Sequence, residues 1–204
     1  MNHKGTIQLE TERLILRRFS MNDADAMFKN WTSDPEVTKF MTWPTHQNVG
    51  VSRWVINSWI PSYEKADYYV WAIILKENGN EPIGNFHGLS KDDIEAVEFG
   101  YALGRKWWHK GIMTEVLRTV IDFFFEQVGA NSVRAYHDPN NPNSGMVMKK
   151  CGMKYEGTLR SADRNNQGIV DQSWYSLLRS EWETNRLNGN TITGDNTCAE
   201  KTGK

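Results

Sequence analysis

Residues 95–128 constrain the fold more than any other part of the chain, because a strand pattern passes directly into a helix pattern. In EAVEFGYAL every second residue is large and apolar, as in a strand that buries one face. After KWWHKG the apolar residues recur every three or four positions, which is the spacing of one buried helix face. That face comprises Met113, Val116, Leu117, Val120, Ile121, Phe124 and Val128.

Other segments extend this succession of strands and helices. Strand patterns occur at 13–19, 68–75, 83–90 and 132–138, and again in a final hairpin that turns at NNQG. Helix patterns occur between the first two strands and at 141–152. The order is strand, helices, three strands, helix, strand, helix and two strands. It predicts an α/β fold of the α+β type with one mixed sheet, not a doubly wound one, in which the middle strands form an antiparallel meander.

The length of 204 residues fits one domain with a sizeable core. We expect this domain to span residues 1–185. The remaining stretch, 186–204, is polar and lacks periodicity, so we expect a disordered tail. Hydrophobic residues make up 39% of the chain and charged residues 24%, which is ordinary for a globular protein in water.

Charge, hydropathy and cysteine usage argue against several classes of protein. The net charge is −1 with acids and bases mixed along the chain, so we expect no nucleic-acid partner. There is no signal-peptide core and no apolar run long enough to cross a bilayer, so we expect no membrane partner. The two cysteines, Cys151 and Cys198, fit a reducing cytoplasm. No H-x-x-x-H or C-x-x-C pair occurs, so no metal site is predicted, and the oligomeric state is not decided.

The start of the helix after KWWHKG has no serine, threonine or aspartate as a cap. Its first N–H groups and the positive end of the helix dipole follow Gly111, which lets a ligand approach the backbone closely. Arg105, Lys106, His109 and Lys110 add positive or potentially positive charge. These features predict a phosphate or pyrophosphate site, with a helix start that binds only water as the alternative. The absence of G-x-G-x-x-G and of the Walker lysine pattern argues against a dinucleotide or a nucleoside triphosphate.

The strand before this helix has two unlike faces. We expect one face to be core, and it carries Val97, Phe99, Tyr101 and Leu103. The other face places Glu98 among the small residues Ala96, Gly100 and Ala102. A carboxylate flanked by small groups leaves room for a ligand, although this face could also meet solvent or pair Glu98 with a lysine.

Taken together, these segments resemble a known family. The run EFGYALGRKWWHKGIMTEVLRTVIDFFFEQVGANSVRAYHDPNNPNSGMVMKKCGMKYEG is similar to the central part of the GNAT superfamily of acetyl-CoA-dependent N-acetyltransferases. TERLILRRF near the start and WYSLLRSEW near the end resemble the branch of the ribosomal-protein N-terminal acetyltransferases RimJ and RimL. The resemblance covers residues 7–182, and it implies a sheet with a splayed central strand pair that holds acetyl-CoA.

The resemblance also implies which residues hold this cofactor. The backbone of Tyr101, Ala102 and Leu103 would pair with the pantetheine amides, and the loop and helix start would cradle the pyrophosphate. That second group comprises His109, Lys110, Gly111, Ile112, Met113 and Thr114. The family's Q/R-x-x-G-x-G/A pattern survives only at Gly111, because Trp108 and Met113 hold the outer positions. Met113 in place of a small residue is expected to narrow the approach.

Further matches lie after the fifth strand of the family fold. Asn141 matches an asparagine that contacts the cofactor, and with Pro142 it is also an ordinary start of a helix. The tyrosine with which many members protonate the thiolate is replaced by Met148. Ser144 matches a serine near the sulfur and is our candidate for stabilising the leaving group, with a polar residue in the first helical turn as the alternative.

Acetyl transfer to an amine needs a group that takes a proton. The resemblance makes Glu98 our first candidate for this base, since it matches the strand position of the glutamate in several members. Asp163, just before the turn of the last hairpin, is the second, and a solvated aspartate beside a turn is its alternative. His87 and His137 lie on strands, where a histidine is usually packed and hydrogen-bonded, so neither is assigned a catalytic role.

The acceptor site is expected in the helical region after the first strand. Phe40 and Trp43 lie in an aromatic loop that could wall this site, although such a loop more often serves local packing. The acceptor is predicted to be a primary amine, on a protein N-terminus or on a small molecule. The lack of an acidic cluster favours a peptide or a weakly cationic amine. The alternative function is a non-catalytic sensor or interaction module of the same fold that binds an acyl-CoA.

Overall fold

The computed structural model describes residues 1–187, and the rest of the predicted tail lies outside the described residues. Its strands are β1 (Leu9–Glu10), β2 (Leu14–Arg17), β3 (Tyr68–Leu75), β4 (Pro82–Lys91), β5 (Ala96–Leu103), β6 (Ser132–His137), β7 (Lys154–Asn165) and β8 (Gly168–Leu178). Its α-helices are α1 (Ala24–Met27), α2 (Pro35–Thr38), α3 (Val49–Trp59), α4 (Ile112–Phe123), α5 (Pro142–Lys150) and α6 (Arg179–Leu187). Helix α6 runs past residue 185, where we expected the domain to end.

The strands form one eight-stranded sheet in the order β1-β2-β3-β4-β5-β6-β8-β7. Every neighbouring pair is antiparallel except β5 and β6, which are parallel. The predicted mixed, mostly antiparallel sheet is therefore confirmed.

The parallel pair at the centre of the sheet is short. Strand β5 pairs with β6 only from Ala96 to Glu98, opposite Ser132 to Arg134. Beyond that point β5 runs on to Leu103 and β6 to His137 without any pairing between them. The two strands thus splay apart as expected, and the gap leaves backbone N–H and C=O groups of β5 free to bind another molecule.

The sheet separates two cores. One face is covered by α4, whose apolar residues Met113, Val116, Leu117, Val120 and Ile121 are at most 6% exposed. Burying each such side chain contributes roughly 1.5 to 3 kcal/mol, so this face fixes α4 firmly beside the gap. The other face is covered by the helical region before β3, through buried residues that include Met27, Trp31 and Ile56. As the alternation predicts, Val97 and Phe99 of β5 lie in the first core and Ala102 lies in the second.

Two elements at the margins of the sheet were not predicted from the sequence. Strand β1 is one, and α6 is the other, since the hairpin was expected to run to Trp182 whereas β8 ends at Leu178. The Arg179 guanidinium fixes the first turn of α6 by donating to the carbonyls of Ala130 and Phe125. The ring of Trp182 packs 5.2 Å from that of Phe125.

Within residues 1–187 no helix has both the length and the apolarity needed to cross a membrane.

Candidate active site

A cleft of about 470 Å³ lies where the splayed end of β5 meets the starts of α4 and α5. Most of the residues predicted to hold the cofactor line it: Tyr101, Leu103, His109, Lys110, Gly111, Ile112, Met113, Thr114, Asn141 and Ser144, together with Phe40 from the acceptor side. The fold thus brings together residues that are far apart in the sequence. Ala102 does not line the cleft, because its side chain is buried in the other core.

A larger depression of about 680 Å³ lies on the other side of the loop before α4. It is lined by charges of both signs, such as Lys29, Glu81 and Arg105, and includes none of the residues predicted to hold the cofactor or the acceptor. Arg105 and Lys106, which were expected to add positive charge at the start of α4, line this depression instead, and Arg105 pairs with Asp34 at 2.9 Å. We therefore place the candidate site in the smaller cleft, where an uncapped helix start and unpaired strand backbone converge.

The start of α4 has the geometry of an anion site. Gly111 is its N-cap residue in the left-handed region, with φ +73°, and no side chain caps the helix. His109 is also left-handed, with φ +58°. The guanidinium of Arg13 donates to the carbonyl of Lys110 at 3.3 Å and to Glu115 at 2.5 Å, which balances the one acid in the first turn. The free N–H groups and the helix dipole therefore face a cleft that is open to an anion.

Met113 was expected to narrow this approach. Its side chain is only 6% exposed and belongs to the core beneath α4, so most of it points away from the loop.

The start of α5 is also open. Asn141 holds the N-cap position with Pro142 behind it, but the Asn141 side chain makes no capping hydrogen bond. Its amide is therefore available to a ligand in the cleft.

Ser144 is joined to β5 by a contact that sequence reasoning missed. The phenol of Tyr101 lies 3.0 Å from Ser144 Oγ and donates to the Ser144 carbonyl at 3.1 Å. Burial raises the pKa of the Tyr101 phenol, so this group stays neutral. Met148, which holds the position of the family tyrosine, is 1% exposed in the core. The Ser144 hydroxyl, which the resemblance places near the sulfur, is thus held by a strand residue.

Glu98 lies at the point where β5 parts from β6, on the face opposite to α4. Its carboxylate is 3.2 Å from Arg134 of β6 and 3.6 Å from Lys91 of β4. The alternative in which Glu98 pairs with a lysine is therefore realised, together with a second cation.

Asp163 lies in a hydrogen-bond network on β7. It accepts from the Tyr136 phenol at 2.8 Å, from the Arg164 N–H at 2.7 Å and from the Gln172 amide at 3.2 Å. Partial burial alone would raise the pKa of Asp163, but these three hydrogen bonds outweigh it and lower the pKa. Asp163 is thus a structured carboxylate, unlike the solvated aspartate of the alternative reading. Neither it nor Glu98 lines the cleft.

The loop between α2 and α3, residues 39–48, carries both predicted acceptor residues. Phe40 lines the cleft, whereas Trp43 packs against His46 with ring centroids 5.5 Å apart. Sequence reasoning missed the contact that holds this loop. The Asn166 side chain, at the tip of the β7–β8 hairpin, donates to the carbonyls of Thr38 at 2.8 Å and Trp43 at 2.9 Å. The hairpin tip and the α2–α3 loop therefore form one rim of the site.

The two strand histidines differ. The Nδ1 of His137 hydrogen-bonds the Asp138 carbonyl at 2.8 Å, and its ring packs so closely on Gly145 that a Cβ there would lie 2.5 Å from Nε2. His137 is therefore packed, as expected. His87 is exposed, and its ring lies over Gly100 of β5.

Comparison with known proteins places this geometry in a family. Residues 13–154 match the acetyltransferase (GNAT) domain. The uncharacterized N-acetyltransferase p20 of Bacillus licheniformis is 33% identical over 176 residues, which are 85% of this chain and 97% of p20. The ribosomal protein uS5 alanine N-acetyltransferase of Escherichia coli (strain K12) is 29% identical over 109 residues, which are 51% of this chain and 54% of that enzyme.

A solved structure shares the fold. The microcin C7 self-immunity acetyltransferase MccE, in complex with acetyl-CoA and AMP, has a TM-score of 0.74 at 19% identity, covering 82% of this chain and 93% of that one. The predicted fold class and the predicted enzyme class, an N-acetyltransferase, are confirmed. The chain belongs to the GNAT acetyltransferase family.

Proposed function

We propose that this protein transfers the acetyl group of acetyl-CoA to a primary amine, by direct attack of the amine while both substrates are bound. The observation that carries this proposal is the alignment of the uncapped start of α4 with the unpaired end of β5 along one cleft. A pyrophosphate and an extended amide chain are the two ligand parts that such an arrangement fits. MccE, which shares the fold, was solved with acetyl-CoA.

The residues of the cleft suggest how acetyl-CoA is held. The N–H groups after Gly111 would bind the pyrophosphate, and Lys110 would add charge at the same end. Backbone groups of β5 from Tyr101 to the Leu103 N–H would pair with the pantetheine arm, since β6 does not occupy them, whereas the Leu103 carbonyl already accepts from the Trp108 indole at 2.7 Å. The free Asn141 amide would contact the arm from α5. The thioester would then lie in the gap between the two strands.

The chemistry follows from this placement. The amine nitrogen forms a bond to the thioester carbon, and backbone N–H groups at the gap stabilise the oxyanion. The C–S bond then breaks, and the Ser144 hydroxyl turns its proton from the Tyr101 oxygen towards the departing thiolate, to which it donates a hydrogen bond. Holding both reactants in the gap supplies a large part of the rate by itself.

The acceptor enters from the face of the sheet that carries Glu98 and Asp163, which are the candidate bases. Glu98 is paired with two cations, and Asp163 is a charged carboxylate whose oxygens accept hydrogen bonds, so among the described residues this face offers no cluster of unpaired carboxylates for a polyamine. We therefore favour an acceptor of low positive charge, such as a peptide N-terminus, under the rim formed by Phe40 and Asn166. The E. coli relative is named for such an acceptor, an alanine of a ribosomal protein.

The test is an acetylation assay that measures free thiol release from acetyl-CoA. Short peptides with free N-termini are compared with the same peptides blocked at the N-terminus, and with small primary amines. We expect release with the free peptides and none with the blocked ones. Binding of acetyl-CoA without thiol release for any amine would instead support the non-catalytic module.

A further inference from the structure

We propose that His87 is a catalytic residue that takes the proton from the acceptor amine, directly or through one water molecule. This inference rests on the proposed acetyl transfer and names a proton acceptor that differs from both carboxylate candidates.

The first argument is the position of the ring. In the β4–β5 ladder His87 lies directly opposite Gly100, so its side chain shares a face with Glu98. Strand β5 leaves β6 after Glu98, which places Gly100 on the splayed part of the strand. The ring rests on this glycine, because a Cβ there would lie 2.6 Å from His87 Cε1 and 2.9 Å from Nε2. The imidazole therefore lies at the gap, on the face opposite to α4 from which an amine would attack.

The second argument is that this imidazole is free. Within residues 1–187 no hydrogen bond engages either ring nitrogen of His87, whereas Nδ1 is engaged in both His46 and His137. The His87 side chain is exposed to solvent, yet desolvation by the surrounding protein lowers its pKa. Solvent therefore reaches one side of the ring, while protein surrounds the rest of it. At neutral pH the ring is uncharged and has a free lone pair, as a general base requires.

The third argument is the state of the neighbouring groups. The charged residues along this face near the gap are Lys91 on β4, Glu98 on β5, Arg134 on β6 and Asp163 on β7. Glu98 pairs with both cations, and Asp163 accepts hydrogen bonds from Tyr136 and Gln172. On β3 the residue opposite His87 is the uncharged Val70, and burial raises the pKa of nearby Tyr68 so that it stays neutral. Among the titratable groups at the gap, His87 is thus the one that forms no ion pair or hydrogen bond with another described residue.

The proposed step is balanced. The C–N bond forms as the amine attacks, the amine proton passes to a ring nitrogen of His87, and the C–S bond electrons leave with sulfur. The imidazolium then returns its proton to water, and the CoA thiolate takes one from water. No oxidant or further reactant is needed.

The experiment compares His87→Gln and Glu98→Gln with the unchanged protein, in thiol-release assays across pH. In the unchanged protein we expect kcat/KM, calculated on the concentration of unprotonated amine, to fall as pH drops, with a midpoint below the ordinary histidine value of 6.5. His87→Gln should lower kcat/KM by about a hundredfold or more and remove this acid limb. Acetyl-CoA affinity should stay unchanged. Glu98→Gln should keep the limb.

Gly100→Ala supplies an independent check, because its methyl group would displace the ring. Gly100→Ala alone should lower the rate of thiol release. Combined with His87→Gln, it should lower that rate no further than His87→Gln does alone. An acid limb that survives His87→Gln, or equal effects of Gly100→Ala in both backgrounds, would overturn the role of His87. Thiol release by the unchanged protein separates this failure from failure of the proposed function, which would give no release at all.

Discussion

Replacing Asn166 by alanine removes the side chain that ties the hairpin tip to the α2–α3 loop. Its amide makes two hydrogen bonds, to the Thr38 and Trp43 carbonyls, at 2.8 and 2.9 Å. The backbone bond from Asn166 N–H to the Met41 carbonyl, at 3.2 Å, would remain in the variant. The substitution therefore loosens the rim of the acceptor site without removing any residue of the cleft.

The magnitude follows from the two lost bonds. Each intramolecular hydrogen bond contributes about 0.5 to 1.5 kcal/mol net, and Asn166 is exposed, so the lower half of this range applies. A total of about 1.4 kcal/mol raises the population of the detached loop about tenfold. The amide of Met41, which donates to the Thr38 carbonyl at 2.8 Å, should then exchange its hydrogen about tenfold faster.

Hydrogen exchange measured by mass spectrometry on a peptide spanning the α2–α3 loop tests this directly. The matched control is Gln167→Ala, since this exposed neighbour makes no side-chain hydrogen bond among the described residues. Exchange in the loop should rise in Asn166→Ala alone, while strands β3 and β4 stay unchanged in both variants. Equal exchange in Asn166→Ala and the unchanged protein would refute the idea that this side chain holds the rim.

Two further predictions concern stability. Gly84→Ala would place a Cβ 2.3 Å from the Ala102 carbonyl of the next strand, so we expect a loss of about 1 to 3 kcal/mol, seen as a lower Tm. Gly50→Ala is its control, because there the added group meets only a side chain and Tm should hold or rise. Burial lowers the pKa of His46, so the unfolded chain binds its proton more readily, and Tm should fall as pH drops below 6.5. His46→Gln, measured over the same pH range, should reduce that slope, and an unchanged slope would contradict the assignment.

Much of the fold could be predicted from the sequence, because the signals are local. The strand expected at 68–75 has those bounds in the structure, and the apolar face of α4 is buried as its spacing indicates. The departure of β5 from β6 has no such local signal. It was expected from the family resemblance alone, and the pairing that stops at Glu98 confirms it.

The site was less predictable, because its decisive contacts join distant parts of the chain. Tyr101 and Ser144 are 43 residues apart, and Asn166 reaches Thr38 across 128. His87 was expected to be packed and hydrogen-bonded like His137. Only the register of β4 against β5 shows that a glycine faces His87 and leaves its ring at the gap.

The central claim is that the start of α4 and the splayed end of β5 bind acetyl-CoA. Calorimetric titration of acetyl-CoA into the purified protein tests it, with Gly111→Ala and Gly129→Ala as a matched pair of glycines in the left-handed region, at φ +73° and +78°. We predict saturable binding at micromolar concentration, which Gly129→Ala leaves unchanged. An alanine at 111 relaxes out of the left-handed conformation in the free protein, and returning it to the binding geometry costs about 1 to 2 kcal/mol, so Gly111→Ala should weaken binding about tenfold. No binding up to about 1 mM, a free energy weaker than roughly −4 kcal/mol, would contradict the account.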